Sequence, residues 1–323
     1  MIDGDECALV GANPVSAFSI FSPAKINLFL AITGRRADGF HELVSVVTQV
    51  DKGDTLRVEE TGAGKQECGA SRQEADFALA CNDTAVPVDE SNLVRRAARA
   101  FAEATGWQGG ATFFLEKHIP IGAGLGGGSS NAVATLRALN QLAGGPLDAA
   151  RLAAIASKLG SDCPLFLYEG PVVMRGRGEW VEPLPARATA RLRGRRVLIF
   201  KPSIGIGTAW AYARMAAEAP KHYLPAAEAE ARLAAWIAGD TPAEELLYNG
   251  MEGVAFAKYL ALPVLLDVLR EEFGLRVRMS GSGSACYALL PDGAAGDALS
   301  AAAMARVREY WGRAAFVTET KIL

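Results

Sequence analysis

The stretch Pro120–Leu136, PIGAGLGGGSSNAVATL, concentrates the chemistry of this chain. Five of the seven positions from Gly122 to Gly128 are glycine, and Ser129, Ser130 and a helix-like run follow. Glycine adopts positive φ at little cost, so successive backbone N–H groups can turn inward around an anion. A helix N-terminus behind such a loop adds unpaired N–H groups and a favourable dipole. Two hydroxyls then stand where a phosphate oxygen or Mg²⁺ would be met. The segment reads as a phosphate cradle rather than a flexible turn.

Several glycine-loop chemistries compete for it. Gly122, Gly124 and Gly127 match G-x-G-x-x-G, with Asp148 about 20 residues on, as in a dinucleotide fold. That acidic residue should end a second strand, yet Asp148 opens a helix pattern, and a long segment precedes a loop that should lie in the first βαβ unit. A Walker A loop needs Lys after its last glycine, and none follows. The protein-kinase loop comes with H-R-D and D-F-G, both missing.

Further residues could carry chemistry. Asp162, in GSDCP just past a helix end, suits a general base or hydroxyl orienter; by itself it also fits a turn Asp serving local N–H groups. Lys25 interrupts an otherwise apolar strand, SPAKINLFLAI, and Asn27, two residues on, shares its face. An outward strand lysine is the plainer account. The turn Ser280–Ser284, SGSGS, fits a glycine hairpin.

Elements must position these groups. AFSIF, KINLFLAI and DTLRVEE read as strands, and residues 61–90 as a long excursion. SNLVRRAARAFAEATG reads as a helix capped by Ser91 or Asn92 and stopped by Gly106. ATFFLEKHI is a strand into the glycine loop. Asn131–Leu142 is a helix, followed by one from Asp148 to Gly160. Composition shifts over Glu182–Arg196, which marks a boundary between residues 17–185 and 186–323, with 1–16 an extension. Beyond it come strand RVLIFK, helices between Thr208 and Phe273, strand LRVRM, strand ACYALL, helix Gly296–Arg308 and strand AAFVTE. That β–α–β–β–α–β order is ferredoxin-like, so the fold class is α+β.

The chain has 323 residues and a net charge of −3, with no basic run long enough to grip nucleic acid. RLRGRR, Arg191–Arg196, reads as a solvated interdomain segment. Cys7, Cys68, Cys81, Cys163 and Cys286 are scattered and odd in number, and the three histidines lie far apart, against a disulfide framework or zinc site. The acidic N-terminus lacks a signal-peptide pattern. Tyr259–Leu269, broken by Pro263 and Asp267, is too short for a membrane span. A cytoplasmic protein with no nucleic-acid or membrane partner is expected, as a monomer or weak homodimer.

The glycine loop resembles that of the GHMP kinases, small-molecule kinases acting on alcohols. SPAKINLFLAITGRRADGFHEL, Ser22–Leu43, narrows this to the 4-diphosphocytidyl-2-C-methyl-D-erythritol kinases; SNLVRRAARAF, LGSDCPLFL and SGSGSACYAL agree in order. The resemblance implies a ribosomal-protein-S5-type N-terminal domain, a ferredoxin-like C-terminal domain and phosphorylation of the substrate's 2-hydroxyl by ATP. It makes Asp162 and Lys25 the catalytic pair, with the cation favouring charge on the reacting hydroxyl. Asn27 would bond the substrate polyol, and Phe40 and His41 would read the cytosine by stacking and hydrogen bonding. Phe40 stands where Tyr is more common, so a hydroxyl contact is lost. Thr208 and Trp210 fall at the base's other face, although a core Trp is an equal account. For ATP, the resemblance implies Asn92, Leu93 and Lys117 near the nucleoside. Pro120, Ile121, Gly122, Ala123, Gly124, Leu125, Gly126, Gly127, Gly128, Ser129 and Ser130 would hold the phosphates, and the SGSGS turn would close over the loop. No paired acids stand at metal spacing, so Mg²⁺ would arrive with ATP. Another GHMP kinase, or a silent nucleotide-binding protein on the same fold, remains the alternative.

Overall fold

A computed structural model describes residues 17–61 and 77–323. The expected extension over 1–16, half of the expected excursion (residues 62–76), and Cys7 and Cys68 lie outside them. Two sheets organise the described residues. The first holds β1 (Ala17–Arg35), β2 (His41–Thr61), β3 (Phe77–Cys81), β4 (Gly110–Glu116), β5 (Val172–Gly176) and β6 (Trp180–Pro183), in the path β3-β4-β2-β1, with β5 bonded to β2 and β6. The second, β11-β7-β10-β9, is antiparallel and comprises β7 (Arg196–Lys201), β9 (Val277–Met279), β10 (Cys286–Leu290) and β11 (Phe316–Lys321). Its order is the ferredoxin-like one that the sequence predicts.

AFSIF and KINLFLAI form one continuous strand rather than two. Within β1 the register shifts between Asn27 and Phe29, leaving Leu28 without a partner opposite. Such a bulge changes which face each later side chain meets. Ile26, Leu28, Phe29 and Ala31 face a core shared with Val197, Ile199 and Tyr287 of the second sheet. Leu30 and Ile32 face a core shared with helices α1 (Leu93–Thr105) and α2 (Gly127–Leu142). Burial on both faces also hides Leu43–Val50 of β2 from an alternation test, because every side chain there is buried.

Within the expected excursion, β3 pairs in parallel with β4 and turns Phe77 and Leu79 inward. Two inward residues among Ala, Asp and Glu are too short a repeat to stand out. The helix limits follow local chemistry. Asn92 caps α1 through the Val94 N–H, and Gly106 ends it at φ 69°. Asp148 caps α3 (Ala149–Leu159) through the Arg151 N–H.

The second half contains α4 (Ala186–Ala190), α5 (Thr208–Ala217), α6 (Ala226–Ala238), α7 (Glu252–Lys258), α8 (Ala261–Phe273) and α9 (Gly293–Trp311). It also returns to the first sheet: β8 (Tyr248–Asn249) pairs in parallel with Phe29 and Leu30 of β1. RLRGRR is less solvated than expected. Arg191 lies over the Trp236 ring at 3.9 Å, Arg195 pairs with Glu244, and Arg196 bridges Glu319 and Asp297. Among the described residues, Cys81, Cys163 and Cys286 are free, and no helix is long and apolar enough to cross a membrane.

Candidate active site

One cleft of about 970 Å³ is lined by the glycine loop, Lys25, Asn27, Phe40, His41, Asn92, Leu93, Lys117, Asp162 and Thr208. Segments far apart in sequence meet there because the loop runs from β4 into α2, against β1.

The loop is anchored rather than slack. Ala123 and Leu125 are buried in the core between the sheets, while Gly122, Gly124 and Gly126 take φ of 60°, 76° and 70°. At Gly124 an added Cβ would lie 2.1 Å from the Ser280 carbonyl oxygen. The Lys25 N–H donates to the Leu125 carbonyl at 2.9 Å, tying loop to strand. Helix α2 begins at Gly127, four residues before the expected Asn131, and no side chain caps it. Its first-turn N–H groups are thus not covered by a capping side chain, which suits an anion.

Ser129 lines the cleft, whereas Ser130 does not. Successive helical residues lie about 100° apart, and Ser130 faces the interior, accepting from Ser22 at 2.8 Å. The expected place of Ser130 among the phosphate ligands is corrected on that ground. Ser22 in turn accepts from Asn131.

Lys117 is held by Asp54, whose carboxylate is fully buried. The same carboxylate accepts from the His118 and Ile119 N–H groups, both at 2.8 Å, and from Asn131 at 3.0 Å. A Cβ on Gly127 would lie 2.8 Å from Lys117 Nζ, so the ammonium stands against the first turn of α2. Losing one partner of such a buried pair typically costs about 3–5 kcal/mol, because the other charge stays desolvated. Sequence reading passed over Asp54, which is just the first residue of an alternating strand.

Lys25 Nζ donates to Asn27 Oδ1 at 2.6 Å and lies 3.4 Å from Asp162 Oδ2. The lysine side chain is 4% exposed and the Asp162 side chain 42%. The carboxylate therefore faces the cleft while the cation is held behind it. Asn27 Nδ2 donates to Ser45 Oγ, which donates to the Phe29 carbonyl, so the Asn27 amide has one orientation. The turn carrying Asp162 is closed by the Cys163 N–H on the Gly160 carbonyl. Beside it, burial pushes the Cys163 thiol up to about 11.

Phe40 follows a tight turn in which Asp38 accepts its N–H. Its ring is half exposed, with the Arg177 guanidinium 5.0 Å above it. His41 is buried, its Nε2 3.1 Å from the Tyr223 hydroxyl and its ring 5.0 Å from that of Tyr212. Burial, then the charge of Arg35, lowers its pKa.

Trp210 is not at the cleft and is corrected. It packs against Tyr259 and lies under Lys258 at 4.3 Å, on the far side of α5. Thr208, Tyr212 and Ala216 line the cleft instead. They are spaced i, i+4, i+8, one face of the helix, and position 210 points away from it. That spacing was readable in TAWAYARMAA and identifies Tyr212 as the ring on this side. Thr208 bonds Ser282 of the glycine turn at 2.9 Å. The turn itself meets the loop: Ser280 Oγ donates to the Gly124 carbonyl at 3.0 Å, and the Ala285 N–H to that of Ala123.

Residues 92–170 match the family model of the GHMP kinase N-terminal domain, and residues 239–307 that of the C-terminal domain. A 4-diphosphocytidyl-2-C-methyl-D-erythritol kinase from Synechococcus sp. (strain CC9902) is 37% identical over 85% of this chain and 88% of its own. One from Protochlamydia amoebophila is 36% identical, with 86% of each chain covered. A crystal structure of a 4-(cytidine 5'-diphospho)-2C-methyl-D-erythritol kinase superposes with a TM-score of 0.72 at 33% identity, over 94% of this chain and 99% of that one. Matches that cover 85% or more of the chain take in both halves of the molecule, and the chain belongs to the 4-diphosphocytidyl-2-C-methyl-D-erythritol kinase family of the GHMP kinases.

Proposed function

We propose that this chain transfers the γ-phosphoryl group of ATP to the 2-hydroxyl of 4-diphosphocytidyl-2-C-methyl-D-erythritol, in non-mevalonate isoprenoid precursor synthesis. One observation carries the reading: a phosphate cradle, a lysine–carboxylate pair and an aromatic–histidine cluster line the same cleft.

Phosphoryl transfer is chiefly a matter of positioning and charge neutralisation. The loop N–H groups and the first turn of α2 bind the phosphates, with Lys117 alongside and Asn92 and Leu93 toward the nucleoside. Asp162 accepts the proton of the substrate hydroxyl as its oxygen bonds to the γ-phosphorus and the bond to the departing ADP oxygen breaks. The Lys25 ammonium faces the negative charge developing there. Asn27 aims Lys25 and bonds the polyol. A neutral His41 hydrogen-bonds the cytosine edge, and Phe40 and Tyr212 supply ring faces. Arg35 and Arg177, both lining the cleft, offer positive charge to the substrate diphosphate.

Mg²⁺ fits as an ion carried in by ATP. Among the described residues no three His, Cys, Asp or Glu side chains converge, while Asp162 and Ser129 bring oxygens to the cleft beside the loop. When bound with ATP, the ion neutralises phosphate charge.

The test is ADP release from ATP with 4-diphosphocytidyl-2-C-methyl-D-erythritol, against mevalonate and homoserine. Turnover confined to the cytidine substrate is expected; turnover of mevalonate or homoserine alone would sink the reading. The aromatic assignment is separable. Tyr212→Ala is expected to raise the substrate KM about tenfold, the usual scale for loss of one base-stacking ring. Trp210→Ala should leave KM within about twofold, and the opposite ranking would return Trp210 to the base.

A further inference from the structure

Asn249 hydrogen-bonds neither the glycine loop nor Lys25, yet it holds the element that meets both. It is the second residue of β8, opposite Leu30 of β1, just past the bulge after Asn27. The next residue continues the attachment, its Gly250 N–H donating to the Leu30 carbonyl at 2.9 Å. The Asn249 side chain is buried. Its Nδ2 donates to the carbonyl of Met279, the last residue of β9, at 2.7 Å and to that of Gly281 in the glycine turn at 2.9 Å. Its Oδ1 accepts from the Met251 N–H at 2.9 Å. Swapping the amide's oxygen and nitrogen would set an acceptor against two carbonyls, so this pattern admits one orientation. Glu252 completes the grip by accepting from the Met279 N–H at 2.8 Å.

The gripped turn bears on the reacting groups. Gly281 sits at φ 58°, and a Cβ there would lie 3.1 Å from Lys25 Nζ and 3.4 Å from Asn27 Oδ1. Ser280 Oγ donates to the Gly124 carbonyl in the phosphate loop and lies 3.4 Å from the Asn27 nitrogen. Lys25 and the loop thus both bear on a turn whose Met279 and Gly281 carbonyls are held from the first sheet by the Asn249 amide.

We infer that Asn249 is a positioning residue for phosphoryl transfer: its amide locks the 279–281 backbone to β1, and the locked turn holds Lys25 and the phosphate loop in their reacting geometry. It acts through the turn and meets no substrate. The inference rests on the kinase reading above, and the two fail differently. An unmodified chain that forms no ADP defeats that reading; an active chain with an equally active Asn249 variant defeats only this one.

Steady-state kinetics of Asn249→Ala, and of the near-isosteric Asn249→Asp, which loses both donors, provide the test. Each is measured well below its melting temperature. The expected result is a fall of about ten- to hundredfold in kcat, the scale of a misplacement near one ångström, with KM for ATP and substrate within about threefold. A double-mutant cycle reads the route: in a Ser280→Ala background, Asn249→Ala should cost much less than it does alone. Full additivity, or a kcat within about twofold of the unmodified enzyme, overturns the proposal. Should neither Asn249 variant fold, Ser280→Ala alone decides, since it removes the hydroxyl that the lock aims at Gly124. An unchanged kcat there also overturns it.

Discussion

Asp162→Ala is expected to lower kcat by about 10²–10⁴, the range supplied by a positioned acid–base group, with nucleotide affinity little changed. The separation follows from placement. The carboxylate opens into the cleft and pairs with Lys25, whereas the glycine loop proposed to cradle the phosphates is backbone of a different segment, 122–128, pinned by Ala123 and Leu125. Removing the carboxylate leaves that cradle intact. ADP-release kinetics together with calorimetric titration of an ATP analogue check both parts. Asp162→Asn sharpens the outcome, because it retains an oxygen that can orient the hydroxyl but is no base. An alanine variant that keeps most of its rate would remove Asp162 from the reaction. An asparagine variant as active as the unmodified enzyme would leave it orienting alone.

Replacing Lys25 should cost nearly as much. Lys25→Ala is expected to reduce kcat by about 10²–10³, the usual loss when one preorganised electrostatic stabiliser of the transition state is removed. Two contacts go with it: the 3.4 Å approach to Asp162 and the 2.6 Å bond to Asn27 Oδ1. The second leaves a buried acceptor without its donor, a loss of about 1–3 kcal/mol in stability, readable by denaturant unfolding. Lys25→Arg should not restore the rate. A Cβ on Gly126 would come within 2.8 Å of Lys25 Cγ, and one on Gly281 within 3.1 Å of Nζ, so the channel is closed to a planar guanidinium. An arginine variant within about tenfold of the unmodified kcat would show that charge alone suffices and that the tight channel is irrelevant.

The groups legible in the sequence share a property: their chemistry is local. Capping at Asn92 and Asp148, the end of α1 at Gly106 and the glycine loop each depend on a few consecutive residues, as does the motif around Asp162. The β–α–β–β–α–β order of the second half was readable because its strands and helices are separated by clear turn residues. Elements buried on both faces were harder. Leu43–Val50 shows no alternation because it has no wet side, and β8, two residues long, has no period at all.

Sequence by itself determined that a glycine loop opens a helix here, and offered the charged and aromatic residues that could serve it. Tertiary structure decided which of them meet. Helix phase, settled by what α5 packs against, turned Tyr212 to the cleft and Trp210 away from it. The same geometry buried Ser130 and left Ser129 at the opening. Asp54 and Asn249 acquire their importance through partners 30 or more residues away in sequence, Lys117 and Asn131 for one, Met279 and Gly281 for the other. Hydrogen bonding has no sequence period when donor and acceptor lie on different elements, so a residue whose function is to join elements is visible only once they are folded together.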